Sequence, residues 1–189
     1  MADTSDFRNG LVLVWNNDLW QIIEFMHVKP GKGGAFVRTK LKNIKNGKVV
    51  DNTWRAGERV ETARVERRPH QYLYEDDMGM HFMNTATYDQ IALRPDMVTG
   101  RQFVKEGGTI DVLVNADTDA PITTEIALSV ELKVIRTDPG LKGDTATGAT
   151  KPAVTESGAT VYVPLFINEG DVIRVNTGEG NYVTRVSTN

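Results

Sequence analysis

At 189 residues, with 40% apolar and 25% charged residues, the chain has the composition of an ordinary globular protein with room for one large domain or two to three small ones. It contains no cysteine, which excludes disulfides, thiolate metal sites and cysteine nucleophiles, so each domain must stand on its apolar core alone. No run of about 18 apolar residues occurs, and residues 1–6 lack the basic and apolar regions of a secretory signal, so a cytoplasmic protein without a membrane partner is expected.

Strand signals run from end to end: Val, Ile, Thr and Tyr alternate with polar residues, turn residues recur, and no window carries a 3.6-residue period. The expectation is an all-β protein. Residues 11–15 and 19–28 read as strands joined by a turn at Asn16-Asn17-Asp18. The stretch Lys29-Pro30-Gly31-Lys32-Gly33-Gly34 follows, the exposed tip of a projecting hairpin. Pro30 fixes φ at the first central position, and Gly31 is expected to supply the positive φ of a type II turn, with Lys32 next. In the return strand, 35–43, alternation puts Ala35, Val37, Thr39 and Leu41 on one face and Phe36, Arg38, Lys40 and Lys42 on the other. One face is core and the other a ladder of basic residues. Asn46-Gly47 signals a two-residue hairpin into residues 48–55, completing a compact unit of about five strands, an SH3-like barrel.

Charge is distributed unevenly over this plan. The formal net charge is −3, yet residues 25–50 carry seven Lys or Arg and no Asp or Glu, which leaves −10 for the remainder. A chain that is acidic overall and concentrates positive charge around one hairpin is built to touch a polyanion locally.

A second unit begins near Arg64. The basic knot Glu66-Arg67-Arg68-Pro69 leads into the aromatic strand 71–74, the acidic turn Glu75-Asp76-Asp77 and a returning strand, 80–83. A strand over 87–93, a single helical turn over 95–98, and strands over 109–115 and 122–124 complete a partly open Greek-key barrel of the OB type. The third unit opens on Leu128, Val130, Leu132 and Val134, expected inward, and breaks into a long polar loop, 137–150, a candidate binding loop. Strands over 160–167, 172–176 and 182–186 close a second five-stranded barrel. The expected domains are 1–63, an SH3-like barrel with the basic tip, and 64–127 and 128–189, two OB-type barrels.

Enzyme constellations are scarce. His27, His70 and His81 have no HxH or HExxH spacing, so no metal site is expected. Asn115, Asp117 and Asp119 imitate the start of a calcium loop, which fails at Ala120, where Gly is required, and at Ile126, where Glu is required. Asp76 and Asp77 are adjacent and point apart, so they make a solvated turn and not an acid–base pair. No nucleophile elbow or phosphate-binding glycine loop is present. Neither catalysis nor a cofactor is expected, and a recognition surface remains.

Two motifs carry a specific resemblance. One is the tip, residues 29–33, followed by Ala35-Phe36; the other is Lys151-Pro152-Ala153, Gly158, Val163-Pro164-Leu165-Phe166, Gly170-Asp171, Thr177 and Tyr182-Val183-Thr184-Arg185, preceded by residues 137–145. In this order and spacing they resemble the bacterial elongation factor P family over the full length. The resemblance implies a KOW/SH3-like barrel and two OB barrels in a tRNA-like L shape. It also implies binding to the ribosome between the peptidyl and exit tRNA sites and relief of stalling at consecutive prolines. Carried over residue by residue, Lys32 matches the tip lysine that a modifying enzyme extends and that points toward the peptidyl transferase centre. Lys29, Pro30, Gly31 and Gly33 form its tip, and Arg38, Lys40 and Lys42 would meet acceptor-stem phosphates. Gly143, Asp144 and Thr145 match the loop facing the small subunit, and Tyr182 and Arg185 match positions near the tRNA anticodon arm. The partners implied are both ribosomal subunits, the acceptor and anticodon arms of peptidyl-site tRNA and the lysine-modifying enzyme, with the factor itself a monomer. A lysine at position 32 excludes the sugar that arginine-tipped members receive and leaves a β-lysyl group, an aminopentanol group or no modification. Competing readings are a paralogue serving other stalls, a general single-strand-binding OB protein and, weakest, an enzyme. The second of these wants aromatics interleaved with basic residues, a pattern that only Tyr72 and Tyr74 approach.

Overall fold

A computed structural model describes residues 1–139 and 148–187. Among these residues sixteen strands are arranged in three antiparallel-rich sheets, each built from a contiguous stretch of chain.

The first sheet holds β1 (Ala2–Asp3), β2 (Val12–Trp15), β3 (Asp18–Val28), β4 (Phe36–Asn43), β5 (Val49–Arg55) and β6 (Arg59–Thr62), in the order β1-β6-β2-β3-β4-β5. Asn16 and Asn17 both take left-handed φ, 50° and 59°, which is what a two-residue turn matched to strand twist requires. The core is Phe7, Leu13, Trp20, Ile22, Val37, Leu41, Trp54 and Val60. Its aromatic rings meet edge to face, with Phe7 and Trp54 at 5.7 Å and Trp15 and Trp20 at 5.4 Å between centroids. The buried indole N–H of Trp54 donates to Thr39 Oγ1 at 2.8 Å, which gives Thr39 a reason to face inward.

The second sheet, ordered β11-β10-β7-β8-β9, comprises β7 (Val65–Asp76), β8 (Gly79–Asn84), β9 (Gln90–Leu93), β10 (Thr109–Asn115) and β11 (Pro121–Glu125). Short 3-10 turns at Pro95–Met97 and Arg101–Phe103 bridge β9 to β10. Gly79 opens β8 at φ +126°, and a Cβ there would collide with the Leu93 carbonyl, so no other residue fits. The expected strand over 87–93 begins only at Gln90. Asn84 accepts from the Ala86 and Thr87 amides and Tyr88 takes φ 64°, so residues 85–88 are a turn built on an Asn side chain.

The third sheet, ordered β14-β13-β12-β15-β16, comprises β12 (Ser129–Thr137), β13 (Thr150–Thr155), β14 (Thr160–Pro164), β15 (Val172–Asn176) and β16 (Asn181–Ser187). Val130 is half-buried and Leu132 and Val134 are fully inward, but Leu128 is 86% exposed, contrary to the alternation. Leu128 precedes the strand, and its carbonyl accepts from Thr177 at the sheet's rim, where no layer lies above it. Strand β14 ends at Pro164, and Ile167 reaches the core from the following turn instead.

The chain forms two compact units, Met1–Arg68 with Val112–Thr123, and Pro69–Asp111 with Thr124–Asn189. In the first, the turn between β10 and β11 joins the start of β7 through Arg64–Asp117 at 3.8 Å and Arg68–Asp119 at 2.8 Å. The would-be calcium residues are thus spent as hairpin turn and arginine partners. In the second unit, Phe103 from the link between β9 and β10 is 5% exposed and belongs to the core of the third barrel, with Leu132, Val134, Val161 and Ile173. Lys105 reinforces it, donating to the Glu131 carbonyl at 3.0 Å and to Glu156 at 2.9 Å, while Ser157 donates to the Gln102 carbonyl at 2.7 Å.

Candidate nucleic-acid interface

Strands β3 and β4 pair from Trp20↔Asn43 out to Val28↔Phe36, leaving residues 29–35 as the tip. Lys29, Pro30, Gly31, Lys32 and Gly33 are all exposed. The positive φ falls at Gly33, +114°, and not at Gly31 as the type II reading expected. With seven residues to close the hairpin, no tight turn is needed, and the reversal is taken by the glycine after Lys32. An added Cβ at Gly31 or Gly34 would meet nothing within 4 Å, one at Gly33 would touch only Pro30 at 3.9 Å, and Lys32 is exposed.

The faces of β4 alternate as expected from Val37 on, with Val37, Thr39, Leu41 and Asn43 buried and Arg38 and Lys42 exposed, but Ala35, expected on the inner face, is exposed because it belongs to the tip and precedes the strand. Register adds what composition conceals. The acid-free run 25–50 is bounded by Glu24 and Asp51, and pairing places these two residues on either side of Lys40. Lys40 Nζ lies 3.0 Å from Glu24 Oε2, and this hydrogen bond, with the Glu24 and Asp51 charges, holds its ammonium above the ordinary value. A bulge at Ile23 makes the contact possible, because without the extra residue Glu24 would face Thr39 on the inner side. The ladder of basic residues therefore has a compensated middle rung. Arg38, one step nearer the tip, lies between Met26 and Thr53, with its guanidinium 5.4 Å from the Phe36 ring centroid. Lys42 has no ion pair among the described residues. A groove of about 450 Å³ runs over this face, lined by Met26, Arg38, Lys40, Asp51 and Thr53.

The Asn46-Gly47 turn is wider than expected. Asn43 N donates to Lys48 O, leaving four residues in the loop, with Gly47 at φ 71°. Asn43 organises it: its Oδ1 accepts from the Lys45 and Asn46 amides, and its Nδ2 donates to Asp18 at 2.8 Å. A buried Asn that does three jobs displaces the two-residue geometry.

Tyr182 and Arg185 lie on β16 of the second unit. Tyr182 is half-buried against the third core, and Arg185 is exposed. The Arg185 guanidinium sits 5.2 Å from the centroid of Phe166 and places Nη1 3.8 Å from Asp171 Oδ2. These partners were not anticipated; their one sequence trace is that Phe166 and Asp171 fall in the same motif as Arg185. Gly143, Asp144 and Thr145 lie outside the described residues. Among aromatics, Tyr72 is buried against Phe82, and Tyr74 stacks on His81, which leaves β7 without the open platform a general single-strand binder needs. No group of three or more metal-ligating side chains occurs among the described residues, and no helix there is long and apolar enough to cross a membrane.

Comparison with known proteins covers the same three stretches. Residues 3–60 match the family model described as the elongation factor P KOW-like domain, 65–122 the elongation factor P OB domain, and 130–185 the elongation factor P C-terminal domain. Elongation factor P of Salinibacter ruber is 60% identical over 187 residues, covering 99% of this chain and 97% of that protein. The Rhodococcus jostii protein of the same name is 53% identical over 189 residues, with 100% of both covered. Elongation factor P 1 of Porphyromonas gingivalis is 51% identical over 186 residues, covering 98% and 99%. Among solved structures, eukaryotic translation initiation factor 5A from Methanococcus jannaschii aligns with a TM-score of 0.50 at 20% identity, covering 67% of this chain and 90% of that one, a likeness of fold.

Proposed function

The chain belongs to the elongation factor P family, translation factors and not enzymes, and from that premise we propose that it binds the ribosome between the peptidyl and exit sites and promotes peptide-bond formation at consecutive prolines. The observation that carries this reading is Lys32, exposed in the loop at the end of a long paired hairpin. An amine so placed can enter a narrow cleft, and a modifying enzyme that extends it can reach it first. Proline attacks slowly as a constrained secondary amine, so a contribution of a few kcal/mol from holding the peptidyl-tRNA in an attack-ready geometry would raise the rate by orders of magnitude.

Lys29, Arg38 and Lys42 would supply phosphate contacts that position without reading sequence. Lys40 would join them only by giving up Glu24. Tyr182 and Arg185 would meet the anticodon arm, and Gly143, Asp144 and Thr145 the small subunit. The domains are assigned as 1–63, 64–127 and 128–189, and the factor acts as a cytoplasmic monomer.

Two measurements test this. Intact mass and peptide mapping of residues 29–38 from the native host should reveal an adduct on Lys32. Lys32→Ala should keep the wild-type unfolding midpoint and lose most rescue of a Pro-Pro reporter in a factor-deleted strain. Full rescue by that variant would remove Lys32 from the mechanism. Unchanged ribosome pausing at Pro-Pro after gene deletion would favour a paralogue serving other stalls.

A further inference from the structure

Arg185 is an unusual exposed arginine because two different groups fix it. Its guanidinium lies over the Phe166 ring at 5.2 Å, and one terminal nitrogen lies 3.8 Å from Asp171 Oδ2. Phe166 is itself 56% exposed and contributes nothing to the barrel core, so burial does not account for a large aromatic there. Asp171 is 3% exposed, and Asn168 N donates to its Oδ2 at 2.9 Å, which locks the carboxylate into the 168–171 turn. The Asp171 carboxylate is held by the turn, and the Phe166 ring presents a flat face to the guanidinium. A free arginine samples many rotamers and loses that freedom on binding; one already stacked and tethered loses less.

We propose that Phe166 and Asp171 are positioning residues for Arg185, together fixing its guanidinium so that its remaining N–H donors meet an RNA phosphate. The proposal rests on the reading that Arg185 contacts tRNA. It opposes a simple charge argument. Asp171 places a negative charge beside the cation, so on electrostatics alone its removal should strengthen binding to a polyanion. If the carboxylate acts by orientation, removal weakens binding although the net charge has become more favourable.

The experiment measures affinity of the full-length protein for bacterial ribosomes carrying a peptidyl-site tRNA, over a series of salt concentrations. The variants are Arg185→Ala, Phe166→Leu, Phe166→Tyr and Asp171→Asn, each checked for a wild-type unfolding midpoint. Asp171→Asn keeps an oxygen for the Asn168 amide, while it removes the charge and exchanges the second acceptor oxygen for an NH2 donor. Arg185→Ala should lower affinity and reduce the salt slope by about 0.7–0.9, the loss of one phosphate contact. Phe166→Leu and Asp171→Asn should each weaken binding about three- to five-fold with the slope retained, and Phe166→Tyr should bind as wild type. In the free protein, the Arg185 side-chain protons should show a ring-current shift that Phe166→Leu abolishes and Phe166→Tyr keeps. Tighter binding by Asp171→Asn, or unchanged binding by Phe166→Leu while Arg185→Ala weakens, would overturn the positioning role. Unchanged binding by Arg185→Ala would overturn the tRNA contact itself, and the proposal with it.

Discussion

Among single residues, Asp76 shows how one side chain couples a turn to pH. Its Oδ1 lies 2.8 Å from His81 Nε2 and accepts from the Met78 amide at 2.8 Å, while the His81 ring stacks on Tyr74 at 4.5 Å. These bonds, that to His81 foremost, hold the carboxyl below its ordinary value of 3.8. A depressed acid contributes stability above its unfolded pKa, and that contribution is lost as pH falls through the lower folded value. Asp76→Asn should therefore shallow the acid limb of a stability–pH curve below about pH 4 and leave the neutral region nearly level, as urea melts would record. At this scale the sequence was a partial guide. The sequence places Asp76 in an acidic turn over residues 75–77, whereas the structure ends β7 at Asp76 and pairs it with Gly79, so that only residues 77 and 78 turn. Its histidine partner lies across the hairpin, and pairing is a matter of register. Gly31 and Gly33 make the same point: either could take positive φ, and only the loop length set by strand pairing decides between them.

At the level of elements, the β3–β4 hairpin was the most legible part of the chain, since strict alternation over residues 35–43 allows one assignment of faces. What alternation cannot report is the bulge at Ile23, which turns Glu24 outward onto Lys40. A one-residue insertion in pairing leaves no mark in composition. Leu128 failed for a related reason, because the pattern extends one step beyond the strand that gives it meaning. The compensated rung leads to a prediction about the hairpin as a whole. Glu24→Gln would release Lys40 and let it neutralise a further phosphate, so the salt slope of ribosome binding should steepen by about 0.7–0.9. An unchanged slope would mean that Lys40 does not face RNA.

Across the molecule, three sheets follow one another with connections of a few residues. Sequence punctuation does not reveal that a residue of the link between β9 and β10 is buried in the core of the third barrel. Phe103 was not singled out, since a lone aromatic in a turn gives no sign of which barrel will receive it; yet it is buried among Leu132, Val161 and Ile173. Phe103→Ala should cost about 3–5 kcal/mol in chemical denaturation and should loosen the 3-10 turn that carries it, seen as faster exchange of the Val104 amide, which donates to the Arg101 carbonyl. Glu156 belongs to the same joint. Partial burial pushes its carboxyl up, and bonds from Lys105 and the Lys133 amide outweigh that and hold it below 4.5, so the pair persists at neutral pH and yields only in acid.

The open tip has one further consequence, for proteolysis. Trypsin cleaves after lysine but is blocked when proline follows, so Lys29-Pro30 is protected and Lys32-Gly33 is the scissile bond of the loop. A loop of seven residues projecting beyond its last strand pair is the kind of segment proteases enter first. Any adduct that hides the Lys32 side chain closes that bond as well. The hairpin thus reports its own chemical state: the bare lysine is clipped and the extended one survives, a distinction visible on a gel.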